Sequence, residues 1–85
     1  MIIQTTKRFD RDYAKLPKSI RSQAEKQLAL LMENPHHPSL GIRKMKGHSD
    51  LWEGRVTIHY RFVFRIIGEV YWLNRIGTHD IYKNP

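Results

Sequence analysis

Arginine and histidine side chains in the second half of the chain have spacings that suit the cleavage of RNA. Arg55 and Arg61 lie in two consecutive candidate strands, and His79 follows the last candidate strand. RNA is cut without a metal ion when a base takes the proton of the 2′-hydroxyl, cations stabilise the pentavalent phosphate and an acid protonates the leaving 5′ oxygen. Arginine suits the second role, and histidine suits the first or the third. The same residue types are also common in proteins that only bind nucleic acids.

These side chains share a face only if the strands pair in one register. Side chains alternate along a strand, so Arg55 points away from Trp52, and Arg61 points away from Phe64. A three-residue loop, Thr57–His59, pairs Arg55 with Arg61 and Trp52 with Phe64. We therefore predict this odd loop, because an even loop would mix the polar and apolar faces.

The last hairpin leaves two arrangements open. A two-residue turn at Gly68–Glu69 turns Arg75 toward the core, whereas a longer turn, or a bulge at Gly77, returns Arg75 and His79 to the basic face. In the second arrangement we expect one exposed cationic sheet face. Its members would be Arg55, Arg61, Arg75 and His79, with Lys44 and Lys46 from the neighbouring strand.

The pattern of the whole chain predicts an α+β fold. Thr6 is a candidate N-cap for a short helix that stops at Pro17, and apolar residues repeat at helical spacing over Lys18–Glu33. An N-terminal strand precedes the helices and a meander follows them, so we expect two helices packed on one face of a small antiparallel sheet. The candidate strands are Met1–Gln4, Ile42–Lys46, Leu51–Val56, Tyr60–Ile67 and Val70–Ile76. The predicted core aromatics are Trp52, Phe62, Phe64 and Trp72.

Length and charge narrow the class of protein. We expect a single domain over residues 1–85, because 85 residues leave room for one core. Fifteen Lys and Arg against eight Asp and Glu give a net charge of +7, which predicts nucleic acid or an acidic protein as partner. The chain has no cysteine, and the adjacent His36 and His37 suit a solvated loop, so we expect no metal or other cofactor. No signal peptide or membrane span is evident, so we expect a cytoplasmic protein without membrane contacts.

Three segments resemble the RelE/ParE superfamily of bacterial toxins, and most closely its RelE and YafQ branch. They are Leu51–Arg55, Tyr60–Phe64 and Ile76–Tyr82, and they follow the two predicted helices in the family's order. The resemblance implies a RelE-like domain with the element order β-α-α-β-β-β(-β). It also implies the toxin of a type II toxin-antitoxin pair, since RelE and YafQ toxins cleave mRNA in the ribosomal A site and arrest translation. The implied partners are mRNA, the ribosome and an acidic antitoxin.

The resemblance also assigns roles to single residues. Arg61 is similar to the family's phosphate-stabilising arginine, and Arg55 occupies a place where a second cation is usual. His79, in a Gly-Thr-His setting, resembles the general acid of the YafQ branch. Tyr82 stands where the family keeps an aromatic residue that orients the substrate or stacks on it.

The general base stays open between two residues. Glu53 lies at the position of one family base, and His59 falls near a catalytic histidine of the YafQ branch, whereas His48 ranks lower. Lys44 and Lys46 would bind the RNA or ribosomal RNA. Two other functions remain: inhibition of DNA gyrase by a ParE-like toxin, and nucleic-acid binding by a RelE-like domain without activity.

Overall fold

Two helices and a five-stranded sheet make up the computed structural model, which describes residues 1–85. The helices are α1 (Lys7–Ala14) and α2 (Lys18–Glu33). The strands are β1 (Ile2–Thr5), β2 (Arg43–Lys44), β3 (Trp52–Arg55), β4 (Arg61–Ile67) and β5 (Val70–Gly77). Short 3₁₀ turns lie at Pro38–Leu40 and His79–Lys83.

The strands lie in the order β1-β5-β4-β3-β2. From β2 to β5 the neighbours are antiparallel, and β1 pairs with β5 in parallel. The predicted α+β fold is confirmed, but the sheet is mixed rather than antiparallel, because β1 runs in the same direction as β5. None of the helices combines the length and the apolar character that a membrane crossing requires.

Helix α1 begins at a threonine cap, as the sequence predicts. Thr6 Oγ1 accepts a hydrogen bond from the backbone N–H of Phe9 at 3.1 Å. The same hydroxyl donates to the backbone carbonyl of Asn74 in β5 at 3.0 Å. The start of the helix is therefore bonded to the last strand. Pro17 separates α1 from α2, since its ring cannot continue a helix.

The main core lies between the helices and one face of the sheet. Ala24 and Leu31 of α2 are buried there with Phe62 and Phe64 of β4, and Trp52 is partly buried against them. Burial of such apolar side chains is the dominant favourable contribution to folding. The predicted core roles of Phe62, Phe64 and Trp52 are confirmed.

The prediction that Trp72 belongs to the core is wrong. Its register places Trp72 opposite Arg65 of β4 and beside Gln4 of β1, on the sheet face that points away from the helices. Trp72 packs against neither apolar cluster of the protein. Alternation misleads here because β5 carries adjacent aromatic residues, and Tyr71 is the one that is buried.

A smaller apolar cluster lies on the sheet face opposite the helices, which we call the open face. Met45, Leu51 and Val63 are buried there together with Ile81. Ile81 belongs to residues His79–Lys83, which we call the C-terminal turn. The turn therefore covers part of the face that the sequence predicts to be exposed.

The predicted register of β3 and β4 is confirmed. Arg55 pairs with Arg61, and Trp52 pairs with Phe64. The backbone N–H of Val56 donates to the carbonyl of Tyr60 at 2.9 Å, which closes the predicted three-residue loop. Polar side chains of both strands consequently share the open face.

The last hairpin combines the two arrangements that the sequence leaves open. Ile67 pairs with Val70 around a two-residue turn, and Gly68 there adopts a φ of 60°. A register shift follows at Asn74, because Phe64 pairs with Leu73 and the preceding Val63 pairs with Arg75. The predicted bulge thus exists, but it lies at Asn74, whose carbonyl is bonded to α1, and not at Gly77.

Candidate active site

A nearly buried carboxylate lies at the centre of the open face. Glu53 of β3 is 7% exposed. Its Oε1 accepts a hydrogen bond from the hydroxyl of Tyr82 at 3.1 Å and lies 3.3 Å from Nε of Arg43 in β2. Its Oε2 forms no hydrogen bond, and it reaches solvent because no fully buried side-chain oxygen lacks a partner. One carboxylate oxygen is therefore free to take a proton from a bound substrate.

Tyr82 connects the C-terminal turn to this carboxylate. Burial raises the pKa of Tyr82 above its ordinary value, and the negative charge of Glu53 and the hydrogen bond to it act in the same direction. The charges of Arg61 and Arg43 oppose the increase. The Tyr82 hydroxyl therefore stays protonated at neutral pH and remains a hydrogen-bond donor to Glu53.

His79 is the other functional side chain of the C-terminal turn. Its ring stacks on the ring of Tyr82, with centroids 5.6 Å apart and an angle of 29° between the planes. His79 is exposed, and Thr78 separates it from Gly77 at the end of β5. Tyr82 thus contacts Glu53 through its hydroxyl and His79 through its ring, which holds one candidate base and one candidate acid around a single aromatic side chain.

Arg61 and Arg55 stand beside the carboxylate at the junction of β3 and β4. Together with Glu53 and Arg43 they line an open cleft of about 340 Å³. Nη1 of Arg61 donates to the backbone carbonyls of Thr57 and of Tyr60, the latter at 3.2 Å. These bonds fix one end of the guanidinium and leave Nη2 and Nε without a protein partner, so the cleft can bind an anion.

A buried glutamine of α2 holds the backbone of Arg55 in place. Gln27 of α2 donates from Nε2 to the carbonyl of Arg55 at 2.9 Å and to that of Ser39 at 3.3 Å. Gly41 follows the Pro38–Leu40 turn with a φ of 53°, and the guanidinium of Arg55 lies over it. A Cβ at position 41 would lie 3.7 Å from Nη2 of Arg55, an ordinary contact, so it is the left-handed backbone that favours glycine here.

A second cleft, of about 530 Å³, adjoins the first on the β2 side of Glu53. Its polar lining residues are Glu53, Tyr82, Arg43, Lys44, Lys46 and His48. The carboxylate therefore lies between two clefts that are both lined by cations. A chain of phosphates could follow this surface past the base.

Gly54 explains why Glu53 and Arg55 can flank a core aromatic. A Cβ at position 54 would lie 2.3 Å from Cζ of Phe62 and 2.9 Å from Cδ1 of Ile42. The ring of Phe62 therefore fills the space of the missing side chain. This close packing fixes the strand segment that carries both polar residues.

In β2 it is Arg43, and not the predicted Lys44, that pairs with Glu53. Lys44 pairs with Trp52, and its Nζ lies 5.6 Å from the centroid of that ring, on the helix side of the sheet. Arg43 pairs with Glu53 and so carries its charge to the open face. Only two residues of β2 pair, so pattern alone could not fix their register. The acidic Glu53 on the neighbouring strand was the available signal, because a cation opposite it forms a favourable cross-strand pair.

The structure separates the two candidate bases. Glu53 lies within the cationic clefts, whereas His59 is exposed at the tip of the β3-β4 loop. The contact of His59 in this loop is a bond from its backbone N–H to Thr57 Oγ1 at 3.3 Å. His48 lines the second cleft, but it forms no hydrogen bond with Glu53 or Tyr82.

Arg75 pairs with Val63 and so has its predicted place on the open face, but its side chain lies apart from the cationic clefts. Its Nε lies 2.6 Å from Oδ2 of Asp12 in α1, and its Nη2 donates to Oδ1 at 3.1 Å. Asp12 thereby raises the pKa of Arg75 above its ordinary value, chiefly through the hydrogen bonds. This pair could not be predicted from the sequence, because its members are far apart in the chain.

No protein-family model matches this sequence, and no curated protein matches it either. Solved structures match it over nearly the whole chain. YafQ from E. coli strain BL21(DE3) has 14% sequence identity and a TM-score of 0.78, with 94% of each chain covered. The YoeB/ParE toxin from Agrobacterium tumefaciens has 19% identity and a TM-score of 0.78, with coverage of 93% of this chain and 99% of that one.

A chain of the intact E. coli RelBE toxin-antitoxin complex is also similar. It has 24% identity and a TM-score of 0.71, and the match covers 91% of this chain and 94% of that one. All three structures were solved for toxins or for a complex of one, and each match covers more than nine tenths of this chain. The chain therefore has the fold of the RelE/ParE toxin superfamily.

Proposed function

We propose that this chain is the toxin of a type II toxin-antitoxin pair, a cytoplasmic, metal-independent endoribonuclease that cleaves mRNA in the ribosomal A site. The fold is that of known toxins, which supports the broader part of the proposal. The observation that carries the enzymatic part is the arrangement around Glu53. A nearly buried carboxylate with one free oxygen lies between cationic clefts and contacts the tyrosine on which a histidine stacks.

In the proposed reaction, the free Oε2 of Glu53 takes the proton of the 2′-hydroxyl. The resulting oxygen attacks the adjacent phosphate, and the bond to the 5′ oxygen of the next nucleotide breaks. His79 gives a proton to that leaving oxygen. The products are a 2′,3′-cyclic phosphate and a 5′-hydroxyl end, so atoms and charges balance without a cofactor.

The arginines act on the phosphate during this step. Negative charge grows on its non-bridging oxygens, and fixed cations stabilise that charge without having to reorganise. Arg61 is the best placed, because backbone carbonyls already hold one end of its guanidinium. Arg55 and Arg43 line the same cleft and add to the positive potential.

Tyr82 supports the base and the acid together. Its hydroxyl holds Oε1 of Glu53, so that Oε2 faces solvent, and its ring sets the plane of His79. A neutral phenol is needed for the first role, and its raised pKa preserves that state. We assign the base to Glu53 rather than to His59, because His59 lines neither cleft.

The proposed protein partner is an acidic antitoxin. The chain carries a net charge of +7, and an acidic segment laid across the open face would neutralise the arginines that the RNA needs. The RelBE structure is a toxin-antitoxin complex of the same fold, which supports a partner of this kind.

The proposal is tested by expression of the wild type, Arg61→Ala and His79→Ala in cells. Primer extension on mRNA should find new 5′ ends within translated codons for the wild type and none for the folded variants. Arrest of translation without such ends would reject the nuclease. If purified protein instead inhibits supercoiling by DNA gyrase, the ParE-like function replaces it, and growth that neither variant alters would indicate an inactive binding domain.

A further inference from the structure

Asp12 of α1 forms the most fully bonded ion pair of the protein, and none of its partners belongs to the proposed catalytic set. Both its oxygens bind Arg75, at 2.6 Å to Nε and 3.1 Å to Nη2. Oδ2 also accepts the backbone N–H of Ile76 at 3.1 Å. The side chains of Asp12 and Arg75 are only 17% and 20% exposed. This pair lies at the edge of β5, past the point where the pairing of β5 with β1 ends.

Arg75 has one more bond, and it leads to the end of the C-terminal turn. Its Nη1 donates to the backbone carbonyl of Asn84 at 2.8 Å. Arg8, one helical turn before Asp12, donates to the same carbonyl from Nη2 at 2.5 Å. Helix α1 therefore binds the chain just after Lys83, the last residue of the turn.

The other end of the turn is fixed by β5, and its middle is fixed by Ile81 in the small apolar cluster. A helical turn of five residues has few hydrogen bonds of its own, and here the N–H of Ile81 donates to the carbonyl of Thr78 at 3.1 Å. His79 and Tyr82 lie between these fixed points. Their positions therefore depend on the bond at Asn84 as well as on the apolar contact.

We propose that Asp12 is a positioning residue, which acts through Arg75 and Asn84 to hold His79 and Tyr82 against Glu53. This inference rests on the proposed nuclease function. Asp12 fixes the guanidinium of Arg75 so that Nη1 points at the Asn84 carbonyl, and Arg8 supplies a second donor to it. Arg75 is then an anchor of the C-terminal turn and not a substrate contact, since Nε, Nη1 and Nη2 are all engaged.

The substitution Asp12→Asn tests this inference. The amide oxygen can still accept the N–H of Ile76, but the charge that holds Arg75 is gone. We expect a folded protein whose kcat on ribosome-bound mRNA falls by about 10- to 100-fold, the usual effect of misplacing a reacting group. The KM should stay within about twofold, because Asp12 touches no substrate.

Amide hydrogen exchange at Ile81 supplies a readout that does not depend on activity. Release of Asn84 should allow the C-terminal turn to open more often, so the Ile81 amide should exchange about tenfold faster in Asp12→Asn. Arg8→Met removes the second donor and leaves the Asp12 pair intact. It should accelerate the same exchange to a smaller extent.

Tyr13→Phe is the matched control on the same helix. It removes a hydrogen bond from Tyr13 to Glu25 of 3.1 Å, which joins α1 to α2 and lies away from the C-terminal turn. It should change neither kcat nor the exchange at Ile81. If Asp12→Asn lowers stability and yet matches this control in both measurements, Asp12 is merely structural and the inference is overturned.

The result for the wild type separates the two proposals. If the wild type cleaves no mRNA, the nuclease function fails, and with it the catalytic part of the inference. Exchange at Ile81 would still decide whether Asp12 anchors the turn. If the wild type cleaves mRNA and Asp12→Asn raises KM while kcat is unchanged, Arg75 contacts the substrate and the positioning role is wrong.

Discussion

Two carboxylates of this protein lie beside arginines, and they differ in what is left unbonded. Asp12 uses both oxygens on Arg75 and accepts a backbone N–H as well. Glu53 receives Tyr82 and Arg43 on the same oxygen and leaves the other one free. The first cluster is saturated and stabilises the fold, whereas the second retains a proton acceptor and arginines that can still bind an anion.

Charge alone therefore does not locate the site. Arg75 and Arg61 are both half-buried arginines on neighbouring strands, and both are candidates for the basic face in the sequence. The hydrogen-bond partners of the two guanidinium groups distinguish them. Arg75 faces a carboxylate, while the bonds of Arg61 go to backbone carbonyls and leave its charge uncompensated.

Among the substitutions, Arg61→Ala should have the largest effect on the rate of mRNA cleavage. Removal of a preorganised donor that stabilises transition-state charge should lower cleavage by about 10²- to 10³-fold. Single-turnover cleavage of ribosome-bound mRNA measures the effect, with thermal unfolding to verify the fold. Arg65→Ala is the matched control, since Arg65 lies on the same strand and pairs with the exposed Asp50 at 3.3 Å. Equal losses in both variants would mean that β4 contributes only general charge.

Glu53→Gln should have the next largest effect on cleavage, a loss of about 10²-fold in rate, because the amide cannot act as a general base. Its oxygen can still accept the Tyr82 hydroxyl, so the C-terminal turn should keep its place. His59→Gln is the parallel variant and should retain nearly full activity. If His59→Gln abolishes cleavage while Glu53→Gln does not, the base is assigned to the wrong residue.

Asp12→Ala should affect stability more than any change at the Glu53 cluster. It leaves the charge of Arg75 and the N–H of Ile76 without a partner, which costs about 2 to 3 kcal/mol of unfolding free energy. Urea denaturation measures this value. Arg65→Ala, which breaks an exposed ion pair, should cost less than about 1 kcal/mol. A similar small cost for Asp12→Ala would show that its saturated bonds add little net stability.

Tyr82→Phe should give the smallest change in stability, and its signature should be the dependence of stability on pH. The pKa of Tyr82 is raised by burial and by Glu53 from its ordinary value of 10.0. The unfolded chain therefore releases this proton at a lower pH than the folded protein, so the contribution of Tyr82 is complete below pH 10 and is lost as the pH rises through the raised pKa. Above pH 10, the free energy of unfolding should fall less steeply with pH for the variant than for the wild type. An unchanged slope would mean that Tyr82 is not desolvated.

Much of the fold follows from the sequence because its signals are local. The threonine cap at Thr6 and the break at Pro17 mark the helix boundaries, and alternation in β3 and β4 fixes their register. The bulge at Asn74 could not be predicted, since it depends on where β1 ends and α1 binds the edge of β5. The effect of this bulge on the position of Arg75 could not be predicted for the same reason.

The candidate site was predictable in type but not in arrangement. Arg61, Arg55, Glu53 and Tyr82 carry motif and alternation signals, and the structure brings them to one face. Arg43 was missed, and the pairing of Lys44 with Trp52 was not foreseen, because two paired residues of β2 are too few to show a pattern. The choice between Glu53 and His59 likewise needs burial, which is a property of the folded chain.

The pairing of β1 with β5 has a consequence for how the protein is made. The first strand and the first helix find their partners only in the last strand and at Asn84, so the ribosome must synthesise nearly all of this sequence before the sheet can close. Domains fold as units once their residues have left the ribosome. Any activity that depends on the closed sheet would therefore be absent from the nascent chain and would appear only after release.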